Sequence, residues 1–139
     1  MDELQAAVLR VKLPTLDRDN ARRAAIAAEY SHCFRDLPLK VPPQFLDRTS
    51  VYHQYVIESP DRNSLKKFLN SRGIGTGLYY PQPLHQHGAW KARNLPVYNL
   101  PEAERYSREN LAIPVFAELE EKEVAYIISA VREYFASKS

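Results

Sequence analysis

Between Ser71 and Trp90 the chain reads Ser-Arg-Gly-Ile-Gly-Thr-Gly-Leu-Tyr-Tyr-Pro-Gln-Pro-Leu-His-Gln-His-Gly-Ala-Trp. All four glycines, two of the ten prolines, two of the four histidines and the tryptophan fall in this stretch. Tyr79, Tyr80 and Trp90 offer flat faces on which a base or a sugar can stack. Gln82, His85 and Gln86 can hydrogen-bond hydroxyl groups, and stacking with a polar fringe suits a sugar or a nucleotide. The same residues would also serve to pack a loop, and spacing alone does not choose between these roles.

Other candidate chemistries are weaker. His85 and His87 lie two apart, as metal ligands can, but no carboxylate or cysteine sits nearby to complete a set, so no metal site is expected. His53, within a β-rich run, reads either as an acid–base group or as a histidine satisfied by core hydrogen bonds. Cys33 follows His32 at a helix end, and adjacent helical residues do not face each other, which argues against a Cys–His dyad. The glycines at 73, 75 and 77 precede a strand rather than a helix and lack the Lys-Ser/Thr ending of a phosphate loop.

The elements that must position these groups can be read from periodicity. Residues 1–13 place Leu4, Val8 and Val11 at helical spacing. The signal begins at the first residue with no room for a cap, which suggests fraying or a truncated start. Pro14 should kink or break that helix, and a second runs from about Thr15 to Phe34, making 1–35 a kinked helix. Pro38, Pro42 and Pro43 mark 36–50 as an extended connector. The α+β core is expected over 51–139 as part of one domain.

Within that core, Val51–Ile57 reads as a strand with neither face plainly polar. Ser59 or Asp61 opens a helix whose stripe is Leu65, Phe68 and Leu69, and Gly73 ends it. A second strand is expected over Ile74–Tyr79, weakened by Gly75 and Gly77 unless something approaches closely there. After a loop of about 20 residues, a length that points to function or a partner, Pro101 opens a helix to about Asn110. Leu111–Phe116 reads as an edge strand because of Pro114. A last helix, Glu120–Phe135, carries the stripe Val124, Ile127, Ile128, Val131 and Phe135. Three short strands with helices packed mainly on one face make an α+β two-layer arrangement.

Composition narrows the function classes. The chain has 139 residues and a net charge of +2, with +4 in residues 51–100 and −3 in 101–139. That balance does not imply nucleic acid, although a mildly basic centre would favour an anionic ligand. A single cysteine excludes an internal disulfide and suits a reducing compartment. No apolar run reaches the ~20 residues of a membrane span, and no signal peptide is visible. The expectation is a cytoplasmic protein without membrane or nucleic-acid partners.

Seven segments, taken in order, resemble one family. They are Met1-Asp-Glu-Leu-Gln-Ala-Ala-Val-Leu, Ala21-Arg-Arg, His53-Gln-Tyr-Val, Leu69 to Gly73-Ile-Gly-Thr-Gly, Tyr80-Pro-Gln-Pro-Leu-His85, Leu100-Pro-Glu-Ala-Glu and Leu111-Ala-Ile-Pro. Together they are similar to the C-terminal part of the pyridoxal-phosphate-dependent nucleotide-sugar aminotransferases of the DegT/DnrJ/StrS type. The resemblance implies the small domain of a fold-type-I aminotransferase, with mostly antiparallel strands, in an enzyme that is normally a homodimer. Such enzymes move an amino group, usually from glutamate, to a nucleotide-linked keto sugar. By resemblance Tyr79, Tyr80, His85 and, after them, His53 would face cofactor and substrate.

The resemblance also implies what the chain lacks. The family's cofactor lysine, its acidic partner and its phosphate-binding residues precede the position matched by Met1. None of the seven lysines here occupies a matching motif. Tyr79 stands where many relatives have histidine, and His87-Gly88 replaces a usual Gln-Pro. The expectations are therefore that no residue of this chain is catalytic by itself and that no pyridoxal phosphate is held by it alone. The missing cofactor domain or a second subunit would be its partner, and homo-oligomers would cover Leu4, Val8 and Val11. The alternative is a catalytically silent binding or regulatory module that kept the fold. An independent hydrolase or metal enzyme lacks a constellation.

Overall fold

A computed structural model describes residues 2–138 of the chain; Met1, included in the expected first helix and in the expected domain, and Ser139, at the domain's end, lie outside the described residues. Helix α1 (Glu3–Lys12) does have a cap: the Asp2 carboxylate accepts the Leu4 N–H at 2.9 Å, and the Gln5 side chain completes a capping box. Asp2 is thus the N-cap, and the expectation of an uncapped start is corrected. Pro14 bends the chain without severing it. One 3-10 turn, Leu13–Thr15, joins α1 to α2 (Leu16–Cys33), and the Leu13 N–H still reaches the Leu9 carbonyl.

No residue of α1 is buried, whereas Ile26, Ala27 and Tyr30 of α2 enter the core. The sequence then runs without helix or ladder strand to β1 (Tyr55–Glu58), touching it on the way through an antiparallel bridge between Lys40 and Glu58. The expected strand from Val51 therefore starts four residues late. Tyr52 adopts φ +44°, a left-handed conformation that interrupts the extended run before it can pair.

Helix α3 (Arg62–Ser71) buries Leu65 and Leu69 and closes on a glycine turn. Gly73 sits at φ +75°, its N–H bonds the Asn70 carbonyl, and the Ile74 N–H bonds the Leu69 carbonyl, both at 3.0 Å. This reciprocal pair is what a left-handed residue after a helix permits. The expected strand over Ile74–Tyr79 shrinks to one antiparallel bridge, Gly77 with Ala112. The ladder itself has two strands: β1 pairs antiparallel with β2 (Asn110–Ile113), Tyr55 opposite Ile113 and Glu58 opposite Asn110. The fold is α+β with a small antiparallel sheet, one ladder strand fewer than the sequence suggested.

After the short helix α4 (Gly88–Ala92), helix α5 (Pro101–Glu109) leads directly into β2. Arg105 anchors α5 to the sheet by an ion pair to Glu58 of β1 at 2.5 Å, and within its own helix it pairs with Glu109 at 2.7 Å. Helix α6 (Glu121–Ala136) contacts α2 and α3 and lays its predicted stripe on the core. At the centre, Tyr30 stacks on Phe34, meets Tyr55 edge-on and donates its hydroxyl to the Pro114 carbonyl at 3.0 Å. All four residues of β2 are buried, so this strand is the floor on which the neighbouring loop is built. Among the described residues no helix is long and apolar enough to cross a membrane.

Candidate functional site

The bridge at Gly77 delivers the chain to Tyr79 and Tyr80 at the rim of an open hollow of about 930 Å³. Its wall is largely aromatic and aliphatic: Tyr79, Tyr80, Leu84, Trp90, Tyr98 and Tyr106 line it together with His85. Three of the four residues singled out by resemblance, Tyr79, Tyr80 and His85, are therefore brought to one place. His53 is not among them. It is exposed and lines a smaller hollow of about 250 Å³, which meets the first at the shared residue Tyr79.

The tyrosines are oriented by backbone contacts. A fully buried side chain, Asn110 at the start of β2, accepts the Tyr79 N–H at 2.8 Å and donates to the Tyr80 carbonyl at 3.1 Å. The peptide between the two tyrosines is cis. Below them, a methyl group placed on Gly77 would come within 2.7 Å of the Tyr79 ring. The close approach that Gly77 permits is thus made by a side chain two residues along the same segment.

His85 is set by a different contact. Its side chain is 8% exposed, and Nε2 lies 3.1 Å from Oε1 of Glu104 on α5. The hydrogen bond with His85 lowers the Glu104 carboxyl below its ordinary value, against the opposing effect of desolvation. An ionised carboxylate only accepts, so the pair places the proton on Nε2 and leaves Nδ1 as the second ring nitrogen. Burial raises the Tyr106 phenol, the third tyrosine of the wall near Asn110.

The rest of the loop is held by its own groups. Gln82 donates to the Gln86 carbonyl at 2.9 Å, His87 Nε2 lies 3.3 Å from the Gln82 carbonyl, and Trp90 donates to the Pro96 carbonyl at 3.0 Å. Trp90 and Tyr98 meet edge-on with centroids 6.0 Å apart. Trp90, expected as a stacking platform, already spends its N–H and one ring edge inside the loop. Among the described residues no group of three His, Cys, Asp or Glu could hold a metal ion.

Pyridoxal phosphate needs a lysine amine, an acid for the pyridine nitrogen and donors for the phosphate. The lining of the large hollow contains no lysine, arginine or carboxylate. A neighbouring hollow of about 530 Å³ includes Lys91 and Glu104, but Glu104 is engaged by His85 and no arginine lines the space. The donor sets of these two hollows do not fit the cofactor. What the large hollow does fit is one face of a planar or weakly polar ring.

Sequence reasoning missed Asn110 and Glu104. Asn110 read as the end of a helix, and Glu104 only as part of the Leu100-Pro-Glu-Ala-Glu segment. The signal for Glu104 was its place one turn inside a proline-started helix next to a histidine-bearing loop, too common a pattern to single it out.

Comparison with known proteins follows the same outline. The profile of the DegT/DnrJ/EryC1/StrS aminotransferase family matches residues 1–132. A curated relative from Geobacillus stearothermophilus, named pleiotropic regulatory protein, is 39% identical over 138 residues, covering 97% of this chain and 37% of its own length. The dTDP-3-amino-3,4,6-trideoxy-alpha-D-glucose transaminase of Streptomyces venezuelae is 38% identical, over 96% of this chain and 36% of that protein. The crystal structure of S. venezuelae DesV in complex with a ketimine intermediate superposes with TM-score 0.90 at 38% identity, over 96% of this chain and 36% of that one. The chain thus spans little more than a third of the length of these relatives.

Proposed function

The chain belongs to the DegT/DnrJ/EryC1/StrS aminotransferase family, and from that membership we propose that it supplies the sugar-facing wall of a pyridoxal-phosphate-dependent transaminase. In this reading the complete enzyme moves an amino group, with glutamate as donor, to a keto sugar linked to a nucleotide. The wall is Tyr79, Tyr80 and His85, with His53 at its margin. The observation that carries the reading is the convergence of the first three on one aromatic hollow whose own donors do not fit the cofactor. Another domain or subunit supplies the lysine, the acid and the phosphate site, within a homo-oligomer in the cytoplasm.

On its own the chain then binds without transaminating. The test is to incubate purified protein with pyridoxal phosphate, reduce with borohydride and map adducts by mass spectrometry. Scattered substoichiometric labelling of lysines is expected. A stoichiometric adduct at one lysine, accompanied by turnover of a nucleotide keto sugar, would overturn the reading.

A second reading has a specific support: the relative from G. stearothermophilus carries the name of a regulatory protein. On that reading the chain is a silent module that keeps the hollow for binding. The reading frame upstream of Met1 separates the two, since an adjoining cofactor domain favours the enzyme and unrelated sequence favours the module.

A further inference from the structure

We propose that Asn110 is the positioning residue of the wall, fixing how Tyr79 and Tyr80 are presented, and that Arg62 fixes Asn110 from behind. The proposal rests on the sugar-facing reading of the hollow and deepens it.

The two tyrosines cannot be held by packing alone. Tyr79 is 39% and Tyr80 72% exposed, and neither belongs to a helix or strand. Asn110, by contrast, is 0% exposed, and its amide is fully used. Oδ1 accepts the Tyr79 N–H at 2.8 Å, and Nδ2 donates to the Tyr80 carbonyl at 3.1 Å and to the Tyr106 carbonyl at 2.8 Å. One buried side chain thus grips the dipeptide at its first N–H and at its last carbonyl, and ties both to the end of α5. An asparagine is the residue that does this: one acceptor and two donors diverge from a single planar group. Serine reaches fewer partners, and aspartate would turn an oxygen towards two carbonyls.

Arg62 supports the same residue. It is 7% exposed, and its Nη1 donates to the Asn110 main-chain carbonyl at 3.2 Å. Its Nε has no hydrogen-bond partner among the described residues. Burying a guanidinium with so few partners costs stability, and the bond it does make is on the residue that orients the wall. Gly77 completes the device by leaving room for the Tyr79 ring.

The experiment is amide exchange and chemical-shift mapping on the ¹⁵N-labelled chain, wild type and Asn110→Asp, at acidic and at mildly alkaline pH. In the wild type the Tyr79 amide should be protected at least about tenfold over an unstructured peptide, although it lies outside any strand. Asn110→Asp keeps the acceptor for Tyr79, but it can donate to a carbonyl only when protonated. Facing two carbonyls, its carboxyl should titrate roughly 2 pH units above the ordinary value near 4. Below that midpoint the single O–H can serve one of the two carbonyls, and Tyr79 and Tyr80 should regain most of the wild-type protection. Above it their protection should be lost, while the β1–β2 amides stay protected. Wild-type spectra at each pH are the reference for the other ionisable groups at the wall, His85 and His87 of the loop and Glu104 of α5, and Arg62 is the cation bonded to residue 110.

Free exchange of the Tyr79 amide in the wild type, or an Asn110→Asp chain unchanged at both pH values, would overturn the proposal. Should Asn110→Asp fail to fold, the wild-type measurement still decides, together with Arg62→Met, which should lower Tyr79 protection, and Arg62→Lys, which should retain part of it. Addition of dTDP-glucose separates the two readings. Shifts at Tyr79 and Tyr80 in the wild type that vanish in alkaline Asn110→Asp support both. Intact pH behaviour with no sugar-dependent shift at all keeps the positioning role and removes the sugar-facing one.

Discussion

Replacing Val8 by lysine tests whether α1 is a docking surface. Leu4, Val8 and Val11 lie on one face and are 73%, 50% and 77% exposed. Fully burying an aliphatic side chain is worth about 1.5–3 kcal/mol, so covering these three exposed fractions offers about 3–6 kcal/mol per copy, and about twice that in a two-fold pair. Association costs about 4–15 kcal/mol in lost freedom, which leaves weak pairing, micromolar at best. Lysine has a higher helix propensity than valine, so Val8→Lys should keep α1 while placing two ammonium groups in the covered stripe. Sedimentation velocity from about 1 to 300 μM brackets that range. The wild type should show concentration-dependent association, and Val8→Lys at least about tenfold weaker association, a single 1.4 kcal/mol step. A wild type that stays monomeric throughout, or a variant that associates as the wild type does, refutes the assignment of this face.

Glu104→Gln should release the tautomer of His85, because an amide can offer either an oxygen or an N–H to Nε2; ¹⁵N shifts of the imidazole nitrogens report it, and an unchanged Nε2–H form would contradict the pairing. Alkali should unfold the chain through its buried tyrosines. Burial pushes the Tyr55 phenol up to about 12, with the Ser31 hydrogen bond opposing, and pushes Tyr30 higher still. Folded values above the unfolded value near 10 mean that their contribution is complete below pH ~10 and is lost as pH rises through about 12. Phenolate absorbance should therefore show Tyr30 and Tyr55 ionising only as the far-UV signal collapses; their ionisation in a chain that stays folded would count against the core.

The helices were legible because their signals are local. The Leu65 and Leu69 stripe, the Gly73 stop and the α6 stripe each depend on spacing within a few turns, and each falls where expected. The strands were less so. Val51–Gln54 has strand-forming residues, but the left-handed turn at Tyr52 removes them from the ladder. The stretch before Tyr79 keeps one bridge because Gly77 serves the Tyr79 ring rather than a sheet. In the site, the aromatic cluster was visible as a run of types, whereas the contacts that orient it come from 19 and 31 residues away. Nothing in the spacing of Asn110 or Glu104 marks such distant pairings.

The bonds inside the loop have a consequence for how its sequence can vary. Gln82, Gln86, His87, Trp90 and Pro96 are tied to one another, while the wall is moored to the body through Glu104 and Asn110, six positions apart across the α5–β2 junction. Insertions or deletions among residues 91–100 change a segment that carries neither mooring. Such a site can alter the size and lining of its entrance through loop length while the angle of its tyrosines and the histidine stays constant. The size of the entrance and the geometry of the wall are separately adjustable, because they are written in different parts of the chain.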